Sequence, residues 1–413
     1  MAGTPPLRLD ATDELLSRGQ RHDAWMATFT QGLDFDTFTC GTYPRFAAKA
    51  SGSRLWDPDG NEYIDYILGY GTVLLGHAHP KVLDAVTREL ANGTCASPLW
   101  RPVQVELTQL LTSVLPNADL AYLMRTGSDA TAAAVRLARL HTGRKKVLQW
   151  GYHGWHEWST PRTEGLLPAV RRETLTFEYN DLPGVRAAFE QHGDDIACVI
   201  MMPFETDAPE SGFLHEVRRT AHAHGALFIL DELRSGFRMA LGGAQEYFGV
   251  DADLVTVGKG MANGHPLSAV AGREDVMRGL SRTHMESTFF TNSAEMAAAL
   301  ATVTVVRDTD ALRHVWRMGE RLLDGFRVLI AELDVPVRTV GYAPMPFLEF
   351  TDPDPDRRAA GREAFFRAVV RRGVFFEPDH HWFISAAHTE DDIDRTLEAC
   401  REGFLTLLKA GGA

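Results

Sequence analysis

The run Leu227-Phe228-Ile229-Leu230-Asp231-Glu232 constrains this chain more than any other stretch. Four apolar residues in succession offer no polar face to water. Such a run reads as a strand buried on both sides, the habit of parallel sheets. It ends in two carboxylates, so negative charge falls at the carboxyl end of the strand, where open α/β sheets hold their ligands. Further on, Asp253-Leu254-Val255-Thr256-Val257 reads as a second strand and runs into Gly258-Lys259-Gly260.

The surrounding chain keeps the same rhythm. Strands are expected at Ala121 to Arg125, Lys146 to Trp150, Ala197 to Met202, Leu254 to Val257 and Ser268 to Ala271. Helices are expected between them, at Ala130 to His141, stopped by Gly143, and at His215 to His224, stopped by Gly225. Alternation of this kind implies an α/β fold, a mainly parallel sheet covered on both faces. Ahead of it, two alternating runs around Pro58-Asp59-Gly60-Asn61 predict a hairpin. An amphipathic helix is expected near Asp10 to Met26, with Asp10 or Thr12 as its cap. After a long helix from Thr291 through Val306, Met345 to Phe350 and Trp382 to Ala386 read as strands. Helices at Arg362 to Arg371 and Glu390 to Leu408 pack beside them.

Composition narrows the class. A chain of 413 residues allows two or three domain-sized units, and a net charge of −13 argues against nucleic acid or an anionic membrane as partner. Cys40, Cys95, Cys198 and Cys400 are scattered without CxxC spacing, so they read as reduced thiols, with neither a disulfide framework nor a metal site. The first residues lack the apolar core of a signal peptide, and a cytoplasmic protein is expected.

Lysine is usually a solvated surface charge. Lys259 differs because it follows an apolar strand between two glycines, which let a flat ring approach the backbone. Burial lowers a lysine's pKa and supplies the neutral amine that condenses with a carbonyl. An acid and a lysine at the ends of two strands suit a cofactor that is cationic on one side and carbonyl-bearing on the other. Pyridoxal phosphate (PLP, aminated form PMP) fits, with Asp231 on the ring nitrogen and Lys259 on the aldehyde. The plainer reading of Asp231 alone is a strand-end acid satisfied by amides or by Arg234. Thr126-Gly127-Ser128-Asp129-Ala130-Thr131 opens a helix after a strand, so Gly127, Ser128 and Asp129 mark a phosphate site or, more plainly, a helix cap. Tyr152, in Gly151-Tyr152-His153-Gly154, is placed to stack on a ring, and Thr288 to supply a second phosphate hydroxyl.

These segments, with Trp56-Asp57-Pro58-Asp59-Gly60, Leu75-Gly76-His77-Ala78-His79-Pro80, Gly236-Phe237-Arg238 and Ser385-Ala386-Ala387-His388-Thr389, carry a family likeness. The chain resembles class-III, fold-type-I PLP aminotransferases over nearly its whole length, and among them the glutamate-1-semialdehyde aminomutase branch. The resemblance implies a large domain with a mainly parallel seven-stranded sheet in three layers. It implies a smaller α+β domain built from both chain ends, with residues 1–66 and 313–413 flanking a PLP-binding domain of residues 67–312. It also implies a homodimer in which Thr288 crosses the interface to the neighbouring phosphate.

Departures from that branch bear on the substrate. Where its members resemble one another in a carboxylate-gripping arginine, this chain has Cys40-Gly41-Thr42-Tyr43-Pro44. The gating loop after Tyr152-His153-Gly154 is short, and Met202-Pro203 replaces Glu-Pro. An acceptor that is neutral or cationic is therefore expected. Gly127 to Thr131 and Gly151 to His156 look like their counterparts in aminotransferases of aminoglycoside antibiotic biosynthesis. The expected activity moves an amino group from an amino acid, glutamate, to a 6′-oxo aminoglycoside. The alternative is an epimerase, racemase or aminomutase acting at an amine-bearing carbon, with His153, Tyr43 or a cysteine as second acid or base. By nearness to the motifs, Tyr43, Tyr70, Trp100, His153 and Glu205 are candidate substrate contacts.

Overall fold

In the computed structural model, which describes residues 7–32, 44–93 and 95–411, the chain divides into two units. One joins Met1–His79 with Arg313–Ala413, and the other is Pro80–Leu312. In the first unit, β1 (Lys49–Ser51), β2 (Arg54–Trp56) and β3 (Glu62–Asp65) form an antiparallel meander. The second unit holds β4 (Leu120–Met124), β5 (Lys146–Trp150), β6 (Thr174–Thr176) and β7 (Ile196–Met201). It continues with β8 (Leu227–Asp231), β9 (Leu254–Val257) and β10 (Ser268–Gly272). Back in the first unit, β11 (Val337–Tyr342) pairs with β12 (Met345–Phe350), and β13 (Val374–Phe375) adds in parallel to β3.

The seven strands of the second unit lie in the order β4-β10-β9-β8-β7-β5-β6. All neighbours run parallel except β10, which is antiparallel to both of its partners. β8 is the central strand and is buried at every position. Its side chains alternate between two cores, as a period of two requires. Ile229 joins Ile200 and Val147 beneath the helix Gly127–Thr142. Phe228 and Leu230 join Val199 and Met201 beneath the helices Leu182–His192 and Phe213–Ala223. Helices on both faces explain why the strand tolerates no polar residue until Asp231.

The meander shows how the first unit holds its ends. Asp57 Oδ1 accepts the N–H groups of Asp59 and Asn61 and so fixes the expected turn. The first helix, Asp10–Gly19, has no side-chain cap of its own; the amides of Ala11 and Thr12 donate instead to Asp59 at 2.8 and 2.9 Å. The expected cap at Asp10 or Thr12 is thus replaced by a carboxylate far along the chain. Trp382 to Ala386 is not a strand. The amides of Trp382 and Ile384 donate to Pro346 and Pro344, which have no N–H to return, while those of Phe383 and Ala386 donate to Tyr66 and Leu74. Among the described residues, no helix is long and apolar enough to cross a membrane.

Candidate active site

Asp231 closes β8, and Thr256 pairs with it in register on β9. Thr256 Oγ1 donates to Asp231 Oδ1 over 3.1 Å, and the Leu233 N–H donates to the same oxygen over 3.1 Å. Asp231 Oδ2 lies 2.6 Å from His153 Nδ1. Two donors and the His153 ring nitrogen engage a carboxylate with about four lone-pair sites, which leaves capacity for one more.

Beyond β9 the chain passes through Gly258 and enters a short 3₁₀ turn at Lys259, whose φ is 45°. A lysine in the left-handed region is under strain, of the kind that persists where surrounding structure over-determines it. Burial drives the Lys259 amine from its usual 10.5 down to about 8, the Arg234 guanidinium adds to the fall, and Asp231 opposes it. At Gly258 a Cβ would meet Leu233 Cδ2 at 2.8 Å, so the missing side chain serves close packing between the two strand ends.

The two carboxylates that end the β8 run part company. Glu232 turns away and accepts the amides of Ala244 and Gln245 and the hydroxyl of Ser235. Burial still pushes its carboxyl up to about 7. Its work is to hold the start of the helix Gly243–Phe248.

Gly127 opens a helix that runs to Thr142 and ends on Gly143 in the left-handed conformation. Thr126 and Asp129 form a reciprocal capping box, with Asp129 Oδ2 accepting the Thr126 N–H at 2.8 Å. Asp129 is therefore a cap, and its carboxylate is already engaged. The amides of Gly127 and Ser128 have no intrahelical acceptor and suit an anion. Ser128 Oγ accepts the Trp155 N–H at 3.2 Å, which leaves its own hydrogen to donate. Gly154, at φ 100°, permits this approach, since a Cβ there would lie 2.2 Å from Ser128 Oγ.

The remaining sequence candidates fall in different places. Tyr152 is 59% exposed. His153 is wholly buried against Asp231, with Thr131 Oγ1 donating to its carbonyl, so it is no surface contact for a substrate. Thr288 is exposed in a turn that Arg125 pins through the carbonyls of Phe289 and Asn292. Glu205 is exposed and lends its charge to Arg234, whose Nη2 donates to the Phe204 carbonyl at 2.6 Å. Trp100 is 81% exposed in the turn before the helix Pro102–Val114. Tyr70 belongs to the first unit, at φ 56° and edge-on to His380; burial pushes its phenol up to about 12. Tyr43 lies outside the described residues.

Thr256 and the pairing of His153 with Asp231 were not singled out from sequence. Thr256 had a usable signal, since it is the one hydroxyl on β9 and register places it beside Asp231. His153 had none, because its partner lies on a different strand.

The family model for class-III aminotransferases matches residues 39–399. The chain belongs to that family. This aminotransferase is 37% identical over 380 residues to 3-aminobutyryl-CoA aminotransferase of Cloacimonas acidaminovorans, covering 90% of this chain and 92% of the other. It is also 37% identical over 362 residues to 2′-deamino-2′-hydroxyneamine transaminase of Streptomyces kanamyceticus, covering 87% and 91%. Among solved structures, the PLP internal aldimine form of the FumI protein of Sphingopyxis sp. MTA144 superposes with a TM-score of 0.90 at 31% identity, covering 96% of each chain. The family's cofactor is PLP, and the donor set here fits it. A half-buried lysine whose amine is drawn down to about 8, a buried carboxylate with one acceptor site to spare, and two helix-start amides match an aldehyde, a ring nitrogen and a phosphate.

Proposed function

We propose that this aminotransferase carries an amino group from glutamate to the oxo group of a neutral or cationic acceptor, a 6′-oxo aminoglycoside. The observation that carries the catalytic part is Lys259: a half-buried lysine just after β9 whose amine is brought down to about 8, with Asp231 opposing the fall. When bound, PLP supplies a carbonyl that takes up amines and a ring that takes up electrons.

Lys259 Nζ accepts a proton from the amine-bearing carbon of the donor and later returns one to the acceptor, as a general base and acid. Asp231 holds its charge against the ring nitrogen, kept in place by Thr256 and Leu233. The Gly127 and Ser128 amides and the Ser128 hydroxyl hold the phosphate, and Tyr152 covers the ring. Thr288 of the partner subunit completes the phosphate site in a homodimer.

The acceptor assignment rests on the net charge of −13, the exposed Glu205, and the likeness to a transaminase named for a neamine. The burial of His153 removes it as a second acid or base on an opposite face, so the epimerase reading would need Tyr43 or a cysteine instead. Purified enzyme given a 6′-oxo aminoglycoside and glutamate is expected to yield the 6′-amine and 2-oxoglutarate by mass spectrometry. Turnover of a simple keto acid with none of the amino sugar would overturn the acceptor.

A further inference from the structure

Glu377, in the first unit, is a buried acid that the protein leaves incomplete. It is 2% exposed, and Trp382 Nε1 donates to its carbonyl oxygen over 2.8 Å, which fixes the backbone there. Its carboxylate is less well served. Oε2 is enclosed and has no hydrogen-bond partner among the described residues. Arg362 acts on it through charge alone, its guanidinium being bonded to Asp379. Burial pushes the carboxyl up to about 7, and the amides of Asp379 and His380 only partly oppose that rise. Buried acceptors are nearly always partnered, and leaving one unmade costs stability.

The turn Leu68–Gly71, in the same unit, is strained. Its four residues all have positive φ, at 49°, 61°, 56° and 82°, and two of them, Leu68 and Tyr70, carry side chains. Such strain persists where neighbours dictate it. Here Asp65 Oδ1 accepts the amides of Ile67 and Leu68 at 2.8 and 2.9 Å. Gly71 lies so close to the Phe383 ring that a Cβ would meet it at 2.5 Å. The turn holds Tyr70 out, 41% exposed, with its ring edge-on to His380 at 4.8 Å between centres. The Glu377 charge adds to the rise of the Tyr70 phenol, which places the two groups near one another. A carboxylate without a cation, beside two aromatic rings set at 74°, offers what an ammonium group needs: opposite charge and π-electron density.

We propose that Glu377, Tyr70 and His380 form a binding subsite for an ammonium group, with Glu377 Oε2 accepting its N–H and the Tyr70 ring facing its charge. The choice of an amino sugar as the ligand rests on the acceptor proposed above; the need for an ammonium group does not.

The test is calorimetric titration of the enzyme in its PMP form, which has no aldehyde for amines to join, with neamine as the probe. Saturable binding is expected. Glu377→Gln, which keeps the shape and removes the charge, is expected to weaken it by about tenfold to a hundredfold, the range for a hydrogen bond to a charged group. Unchanged affinity in a variant of unchanged melting temperature would overturn the proposal, as would equal binding of fully N-acetylated neamine. If Glu377→Gln does not fold, Tyr70→Leu decides: a loss of about twofold to thirtyfold is expected for one cation–π contact, and no loss would overturn the proposal. A packing role alone would not respond to pH. Affinity in the unaltered enzyme, relative to Glu377→Gln, is expected to rise as pH climbs through about 7 and the carboxyl ionises. Asp379, Arg362, Tyr70 and His380 are present in both proteins, so their titration cancels in that difference, and parallel pH profiles would overturn the proposal. Neamine carries amines and no oxo group, so failure of the 6′-oxo assay and failure of this titration are separate results.

Discussion

Two buried aspartates sit at opposite ends of neighbouring strands in one sheet, and they are used differently. At the amino-terminal end of β9, Asp253 accepts from the Phe228 N–H, from Arg273 Nη1 and from His222 Nε2, each at 2.7 Å. Burial alone would raise its carboxyl, but those three partners together hold it below the usual 3.8. At the carboxyl-terminal end of β8, Asp231 has, among the described residues, no arginine in hydrogen-bond contact. It has a hydroxyl, an amide and one wholly buried histidine, and capacity for another donor. Both carboxylates are equally buried, so burial does not separate a structural acid from one with work to do. What separates them is whether the protein itself completes the donor set.

The comparison predicts a graded series of losses. Lys259→Ala is expected to lower transamination by about 10³-fold or more, the scale for a positioned general base, with an unchanged melting temperature. A fall below tenfold in steady-state kinetics would mean another group moves the proton. Asp231→Ala and Asp253→Ala should then divide the two ends. The first is expected to lose PLP and activity together. The second leaves the Phe228 N–H unsatisfied, costing about 1–3 kcal/mol in urea unfolding, while kcat per folded molecule stays constant. Equal effects on kcat would erase the distinction.

The two ends also differ in pH response. Lys259 titrates near 8, so the rate at which apoenzyme takes up PLP is expected to climb as pH rises through that value and then level off. Asp253 has a lowered folded value, so its contribution to stability is present above 3.8 and is lost as pH falls through the folded value below it. Stopped-flow absorbance reads the first and acid unfolding the second. A rate flat from pH 7 to 9 would remove the lowered amine. The smallest effect is expected for Tyr152→Leu, which forfeits one ring contact and should weaken PLP retention by about tenfold or less.

Much of this was legible in the residues. The β8 run announced a strand buried on both faces, and the Gly258-Lys259 step announced where the amine would lie. Strand-to-helix order carried the sheet as far as its parallel character. What sequence could not supply was partner choice across distance. Asp129 reads equally well as a phosphate ligand or a cap, and only the reach of its carboxylate back to Thr126 decides. Glu232 looks like a twin of Asp231, yet successive side chains on a strand face opposite ways, and Glu232 meets a helix start. His153 reads as a pocket residue beside an exposed Tyr152, but the turn at Gly154 sends it inward. Trp382 to Ala386 has strand composition, but the neighbour it meets offers Pro344 and Pro346, which cannot donate back.

Borohydride reduction of the holoenzyme followed by peptide mapping tests the central claim most directly, because it fixes the cofactor on whichever amine it has joined. The phosphopyridoxyl group is expected on Lys259 Nζ and on no other lysine. Its recovery on a different residue, or an unlabelled Lys259 in a protein that has bound PLP, would contradict the account.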